Sequence, residues 1–383
     1  LNIIFTCGGT GGHIYPAVSV AKLIRQRRPD ANILFVGAEG GMETRLVPKE
    51  GFEITAVKIY NLRHSVKPSA IVHNAKTLAA LAGARKHARK ILSGFKPDMV
   101  VGTGGYASYP LTVEAARMGI PTAAHESNAM PGWTTRMLAE KVNDMMISYE
   151  SSRQYYTKCK NITLTGTPVR EEFIGRDKAE CLRELELDDG KPIVLSFWGS
   201  LGARDMNHML LDCFAREMAD GYPFRHIHAC GKTGFQWMPG EFQQKLKAEF
   251  TVRPNSVSAG DIELREFIYN MPALMNAADA VLCRAGASTL AELCASASPS
   301  VLIPSPNVTN NHQEANADVL EKAGAAIIIH EKDCTGEILY TRIRELLDDR
   351  KRLSAMSRNA ANIAVLDASE RIYGVIMKHT AKK

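Results

Sequence analysis

Several short strings in this chain set glycine beside groups that bind anions or move protons. Residues 7–13 read Cys-Gly-Gly-Thr-Gly-Gly-His, directly after the apolar run Asn2-Ile-Ile-Phe-Thr6, and a helical pattern opens at Pro16. Glycine permits positive φ and close main-chain approach. The start of a following helix favours negative charge. A strand, a glycine turn and a helix start in that order make a seat for a phosphate. His13 stands at its mouth, and an unperturbed imidazole titrates near about 6.5, so it is suited to move a proton at neutral pH. The same string also serves as a tight turn closed by a histidine cap.

Other strings follow the same plan. Gly102-Thr-Gly-Gly-Tyr-Ala-Ser108 comes after Met99-Val-Val101, and Gly199-Ser-Leu-Gly-Ala203 comes after the apolar run 193–198. Ala123-Ala-His-Glu-Ser-Asn128 ends another run and offers His125, Glu126 and Asn128 to a ligand, or to solvent. In Cys283-Arg-Ala-Gly-Ala-Ser-Thr-Leu-Ala-Glu-Leu293, Gly286 turns the chain and Ser288 or Thr289 caps a helix. Glu292 lies one turn inside that helix, within reach of ribose hydroxyls, or serves simply as an acid at a helix start. The amide-rich segment Pro304–Asn316 suits hydroxyl and acetamido groups, because amides both donate and accept; it also suits plain surface.

The elements that must position these strings alternate along the chain. Strands are predicted near 2–7, 32–37, 52–58, 98–102, 121–125, 144–148 and 161–166, then near 193–198, 225–230, 264–268, 280–283, 300–303 and 326–330. Short continuous apolar runs such as Ile33-Leu-Phe-Val36 fit parallel strands covered on both faces. Helices are predicted between them, including 203–218, 241–250, 288–296, 311–323 and 336–348. The expected fold class is α/β, with two doubly wound Rossmann-like domains facing across a cleft and loops at the strand carboxyl ends aimed into it. The expected division is 1–166, 167–363 and a C-terminal helix in 364–383 that packs back on the first domain.

Composition narrows the function classes. No apolar stretch approaches the roughly 20 residues that cross a bilayer, and the first residues lack the pattern of a secretory leader, so export is not expected. The eight cysteines are scattered without a Cys-x-x-Cys pair, which fits reduced core residues better than a disulfide framework or a zinc site. The formal charge is +6, and it is uneven. From Ile54 to Pro97 there is no Asp or Glu, while Lys58, Arg63, Lys67, Lys76, Arg85, Lys86, Arg89, Lys90 and Lys96 alternate with Ile71, Val72, Leu78 and other apolar residues. No Asp-x-Asp pair that would hold a divalent metal on a diphosphate is present, and Asp348-Asp349 sits in a charged helical setting. Chemistry without a metal or other cofactor is therefore expected.

Taken in order, GGTGGH, GTGGYAS, HESN, GTPVR, EFIYNMP, RAGASTLAE, PSPNVTNNHQEAN and LEKAGAA resemble the MurG family of the glycosyltransferase-B superfamily, over most of the chain. The resemblance implies an inverting transferase. It would move N-acetylglucosamine from UDP-N-acetylglucosamine to the 4-hydroxyl of the muramyl sugar of lipid I, giving lipid II for peptidoglycan. It implies substrate contacts from Thr10, Gly11, Gly12, Asn128, Arg170 and Ser200. Ile268 would meet uracil. Ala287, Ser288, Thr289, Leu290 and Glu292 would hold the phosphate side and the ribose, and Gln313 the sugar. His13 is the first choice for general base and Glu126 the second. The family's usual Gly-Gly-Ser-Gln-Gly-Ala reads Trp198-Gly-Ser-Leu-Gly-Ala203 here, its His-Glu-Gln-Asn has Ser127, and a frequent glycine is Ala297.

A membrane-anchored, anionic acceptor gives the acid-free stretch a purpose. Ile71, Leu78, Arg85, Lys86, Arg89 and Lys90 are the candidate contacts with an anionic membrane, which implies a peripheral position on the cytoplasmic face of the bacterial cell membrane. Nucleic acid is not the expected partner, since aromatic residues for stacking bases are scarce there. Rival readings are a UDP-sugar transferase acting on another glycolipid and an NAD-dependent oxidoreductase. The latter has Glu39 in the place of a ribose-binding acid, but Gly9-Thr-Gly11 is followed by Ile14 where Gly-x-Gly-x-x-Gly needs its third glycine.

Overall fold

The computed structural model describes residues 1–58, 83–199, 203–246 and 249–380. The chain forms two compact units, Leu1–Val169 with Val365–Lys383, and Arg170–Ala364.

In the first unit, β1 (Asn2–Thr6), β2 (Asn32–Ala38), β3 (Glu53–Val57), β4 (Met99–Gly102), β5 (Thr122–Glu126), β6 (Asp144–Ile147) and β7 (Ile162–Leu164) form a sheet in the order β3-β2-β1-β4-β5-β6-β7. Every pairing in it is parallel. Both faces are buried, which is why the strands read as unbroken apolar runs. Ile3 and Phe5 enter one core cluster, and Ile4 with Val36 and Val100 enters another. The helix Gly11–Arg27 covers the first of these with Ile14, Ala17, Val18, Ala21 and Ile24. The late helix Ala368–Thr380 adds Ile372, Val375 and Ile376 to the same cluster, and His379 hydrogen-bonds the buried Asp144 carboxylate. Residues 83–95 are helical and bury Ala84, Ala88 and Leu92, four residues apart, leaving Lys86, Arg89 and Lys90 exposed. Ile71 and Leu78 lie outside the described residues.

In the second unit, β8 (Ile193–Phe197), β9 (Arg225–Ala229), β10 (Thr251–Arg253), β11 (Ser256–Ala259), β12 (Ile262–Arg265), β13 (Ala280–Cys283), β14 (Ser300–Leu302) and β15 (Ala326–Ile328) follow the order β10-β11-β12-β9-β8-β13-β14-β15. The β10–β11–β12 edge is antiparallel and the rest parallel. This edge corrects the sequence reading. The strand expected at 264–268 starts at Ile262 and ends at Arg265, and β10 and β11 were not foreseen. The helix expected at 241–250 runs over Met238–Leu246. The fully exposed β10, Thr251-Val-Arg253, carries no apolar face to betray it.

A buried polar network ties β8 and β9 to the helix Arg204–Ala219. Ser196 Oγ lies 2.8 Å from both His226 Nε2 and His228 Nδ1. His226 Nδ1 is 2.8 Å from Glu217 Oε1, and His228 Nε2 is 3.1 Å from Asn207 Oδ1. Burial, reinforced by the neighbouring His226, pushes the His228 imidazole down to about 3. A histidine held neutral by the fold stabilises it fully above its unfolded value and loses that contribution as the pH drops toward the folded one. The expected loss is about 1.4 kcal/mol per pH unit below about 6.5. Urea unfolding followed by tryptophan fluorescence at pH 7.5, 6.5 and 5.5 should show that slope, and His228→Gln should flatten it. An equal slope in the variant removes His228 from the account.

Candidate active site

In open parallel α/β sheets, ligands gather where neighbouring strands send their connections to opposite sides. In the first unit that point lies between β1 and β4. The turns leaving these strands are Cys7–Thr10 and Thr103–Ala107. They touch main chain to main chain: a Cβ at Gly105, whose φ is +78°, would stand 2.2 Å from Gly8 O. Thr103 Oγ1 donates to His13 O at 2.7 Å, so the second turn also pins the helix start that carries His13. Thr10 is exposed, Gly11 and Gly12 half-buried.

His13 has a defined tautomer. Its Nδ1 lies 3.0 Å from Gly8 O, with Thr10 Oγ1 at 3.4 Å. A carbonyl only accepts, so Nδ1 holds the proton and the neutral ring keeps its lone pair on Nε2. That edge of the ring rests on Gly104, where a Cβ would come within 2.7 Å of Cδ2 and 3.0 Å of Nε2.

β5 is the next strand after β4, and its end carries the His125–Asn128 string. His125 is buried, lies 2.8 Å from Gly166 O through Nε2, and is lowered in pKa chiefly by burial. Glu126 is also buried. Its Oε1 accepts from Asn128 N at 2.9 Å and Asn128 Nδ2 at 2.8 Å, and its Oε2 accepts from Gly132 N at 2.9 Å and from Thr135 Oγ1. These donors shape the segment 126–135 around one carboxylate and set the orientation of Asn128.

In the second unit the corresponding point lies between β8 and β13. Trp198 and Gly199 follow β8, while Ser200 and Leu201 lie outside the described residues. After β13, Gly286 turns into the helix Ala287–Ala295. Ala287 and Leu290 bury their side chains, and Leu290 N donates to Gly286 O at 3.0 Å, so Leu290 belongs to the helix and core. Ser288 and Thr289 are half-buried in the first turn. Glu292 Oε1 lies 3.8 Å from Arg170 Nη2. Burial pushes the Glu292 carboxyl up to about 7, and Arg170 partly offsets this. Arg170 also lies over the Phe173 ring at 4.8 Å.

Two further contacts hold the polar loop after β14. Arg284 Nη1 donates to Ile303 O at 3.0 Å, and Gln313 Oε1 accepts from Ser305 N at 2.8 Å. Ile268 is buried, with its side chain in the core. Its neighbours Phe267 and Tyr269 are 56% and 80% exposed, with ring centroids 5.1 Å apart. Three consecutive apolar residues give no sequence signal that the outer two are exposed, and the structure alone reveals it.

Two doubly wound sheets, parallel but for the β10–β11–β12 edge and each with a glycine turn at the switch point, are the architecture of the two-domain glycosyltransferases of the B class. The profile of the glycosyltransferase family 28 N-terminal domain matches residues 3–147, that of the family 28 C-terminal domain matches residues 193–372, and the chain belongs to this family. It is 39% identical over 376 residues to the UDP-N-acetylglucosamine–N-acetylmuramyl-(pentapeptide) pyrophosphoryl-undecaprenol N-acetylglucosamine transferase of Acetivibrio thermocellus, covering 98% of this chain and 97% of that one. A protein of the same name from a Thermoanaerobacter species is 39% identical over 381 residues, covering 99% and 100%. The crystal structure of Acinetobacter baumannii MurG matches with a TM-score of 0.75 at 25% identity, covering 98% of this chain and 99% of that one.

The contact between the two turns of the first unit is open to test. Gly105→Ala forces a side chain against Gly8 O at a positive φ, and it should cost at least about 2 kcal/mol in urea unfolding. A loss under about 0.5 kcal/mol, the range of an ordinary surface change, would show that the turns do not meet.

Proposed function

We propose that this protein transfers N-acetylglucosamine from UDP-N-acetylglucosamine to the 4-hydroxyl of the muramyl sugar of lipid I, with inversion, to form lipid II. The observation that carries this reading is the likeness to transferases of that name along essentially the whole chain. The geometry supports the chemistry such a transfer needs.

The second unit is assigned the donor. UDP departs with added negative charge, which oriented dipoles and cations stabilise. The helix start at Ala287, Ser288 and Thr289 and the Arg170 guanidinium supply them. Glu292 accepts from the ribose hydroxyls. The Ile268 main chain, flanked by the exposed rings of Phe267 and Tyr269, meets the base. Gln313, oriented through Ser305, meets the sugar. The first unit is assigned the acceptor, with Thr10, Gly11, Gly12 and Asn128 in contact with substrate. His13 Nε2 takes the proton of the attacking hydroxyl as the bond to the anomeric carbon forms and the bond to UDP breaks. Glu126, with its oxygens occupied by loop donors, serves by holding Asn128.

The exposed Lys86, Arg89 and Lys90 are assigned to the anionic cytoplasmic leaflet that presents lipid I. Among the described residues no helix is long and apolar enough to cross a membrane, so the attachment proposed is peripheral.

Purified protein given UDP-N-acetylglucosamine and a short-chain lipid I analogue should release UDP, and UDP-glucose should replace the donor poorly. Absence of release with the native pair would refute the assignment. His13→Ala should lower kcat by about 10²–10⁴ with the fold intact, the usual worth of a general base; near-normal turnover would exclude it.

The membrane seat is checked by co-sedimentation. Anionic vesicles should bind the protein more tightly than zwitterionic ones. Reversing Lys86, Arg89 and Lys90 to glutamate should weaken that binding by at least about 100-fold, at about 1 kcal/mol per charge. Equal binding to both vesicle types, or tighter binding to nucleic acid, would count against it.

A further inference from the structure

One buried carboxylate in the first unit has no role in the chemistry above. Glu43 opens the short helix Glu43–Lys49 after β2, and it is fully buried. Its Oε1 accepts from Ala38 N at 2.8 Å and its Oε2 from Gly9 N at 3.2 Å. Cβ atoms at Gly8, Gly37 and Gly41 would come within 2.6, 2.3 and 2.4 Å of its side chain. The carboxylate thus fills a space that side chains at those positions would close.

The Gly9 N–H belongs to the same planar peptide as the Gly8 C=O. That carbonyl is the acceptor for His13 Nδ1 at 3.0 Å. Glu43 Oε2, the Gly8–Gly9 peptide and the imidazole therefore stand in one hydrogen-bonded line. We infer that Glu43 is the remote member of a carboxylate–peptide–imidazole relay, a positioning residue that sets the tautomer and basicity of His13 without touching it. Hydrogen bonds in series polarise one another. A carboxylate on the N–H makes the C=O at the other end a stronger acceptor. That acceptor holds the proton on Nδ1 and favours the imidazolium formed when Nε2 takes the substrate proton. In hydrolytic triads a carboxylate does this to histidine directly; here one peptide stands between them. The Nδ1 proton stays in place and the relay makes or breaks no covalent bond.

Other titratable groups face this line. Cys7 and Tyr106 lie near the carboxylate, and both hold their protons more tightly, through burial first and Glu43 second. His125 faces His13 from β5 and is itself lowered chiefly by burial.

The inference rests on His13 as the base, so its test has an arm that does not depend on turnover. In ¹⁵N spectra of histidine-labelled protein, His13 should show the Nδ1-protonated tautomer. Glu43→Gln, verified as folded by circular dichroism, should give a mixture of tautomers. In the same variant kcat should fall about 10- to 100-fold, with KM for UDP-N-acetylglucosamine within about twofold. The acidic limb of its kcat profile should move down by about half a pH unit. Should Glu43→Gln not fold, Glu43→Asp, which keeps the charge and withdraws it, should move the same readouts the same way by less. An unchanged tautomer and an unchanged limb in a folded variant overturn the relay, even where turnover falls. If His13→Ala keeps its turnover while the tautomer still follows Glu43, the relay stands and the base assignment fails.

Discussion

No methyl group fits between Gly8 and Gly105. This contact fixes the first unit's site, because the turns that leave β1 and β4 must lie flush before anything else there is in register. Thr103 then reaches the His13 carbonyl, and Gly104 passes under the imidazole. The Gly8 carbonyl that crowds Gly105 is also the acceptor for His13 Nδ1. A side chain inserted at this point would push the exits of β1 and β4 apart and release the ring at once. Dense glycine here serves contact between main chains more than flexibility.

The acidic side chains divide by how fully the fold satisfies them. A buried carboxylate costs free energy unless donors surround it. Glu126 has main-chain and side-chain donors on both oxygens, and Glu43 has a main-chain donor on each. Such groups organise loops. Glu292 is different: its charged partner Arg170 stands 3.8 Å away and its carboxyl is raised to about 7. Burial and that one cation govern its titration. The difference lies among residues of the same chemical type.

Much of this was legible in the residues. Parallel strands buried on both faces announce themselves as short apolar runs, and their order along the chain fixed the α/β class. The glycine strings marked the strand ends, and two of them fall at the switch point of the first sheet. Three things were not legible, each for a physical reason. The β10–β11–β12 edge is held by antiparallel main-chain pairing with little apolar content in β10, so no hydrophobic period reveals it. Glu43 lies in a stretch that reads as an ordinary charged helix, and its burial follows from three glycines, of which Gly8 is distant in sequence. The side chains of Ile268 and Leu290 prove to be core, because the backbone turns those positions inward, which their place in a motif string does not reveal. Ala297 also gains meaning. It holds φ at +51°, where glycine is relaxed and alanine is strained, so the departure noted in the sequence has a conformational cost.

The helix Ala368–Thr380 belongs to the unit that contains β1, although the whole of Arg170–Ala364 intervenes. Its Ile372, Val375 and Ile376 complete the cluster begun by Ile3 and Ile14. On the ribosome, the opening unit must therefore wait with an apolar patch uncovered until the chain has been made past Ile376. By then the intervening unit has all of its residues and is free to fold first. The order of synthesis and the order of completion are reversed, and an interrupted translation product would expose the very surface that the finished protein hides.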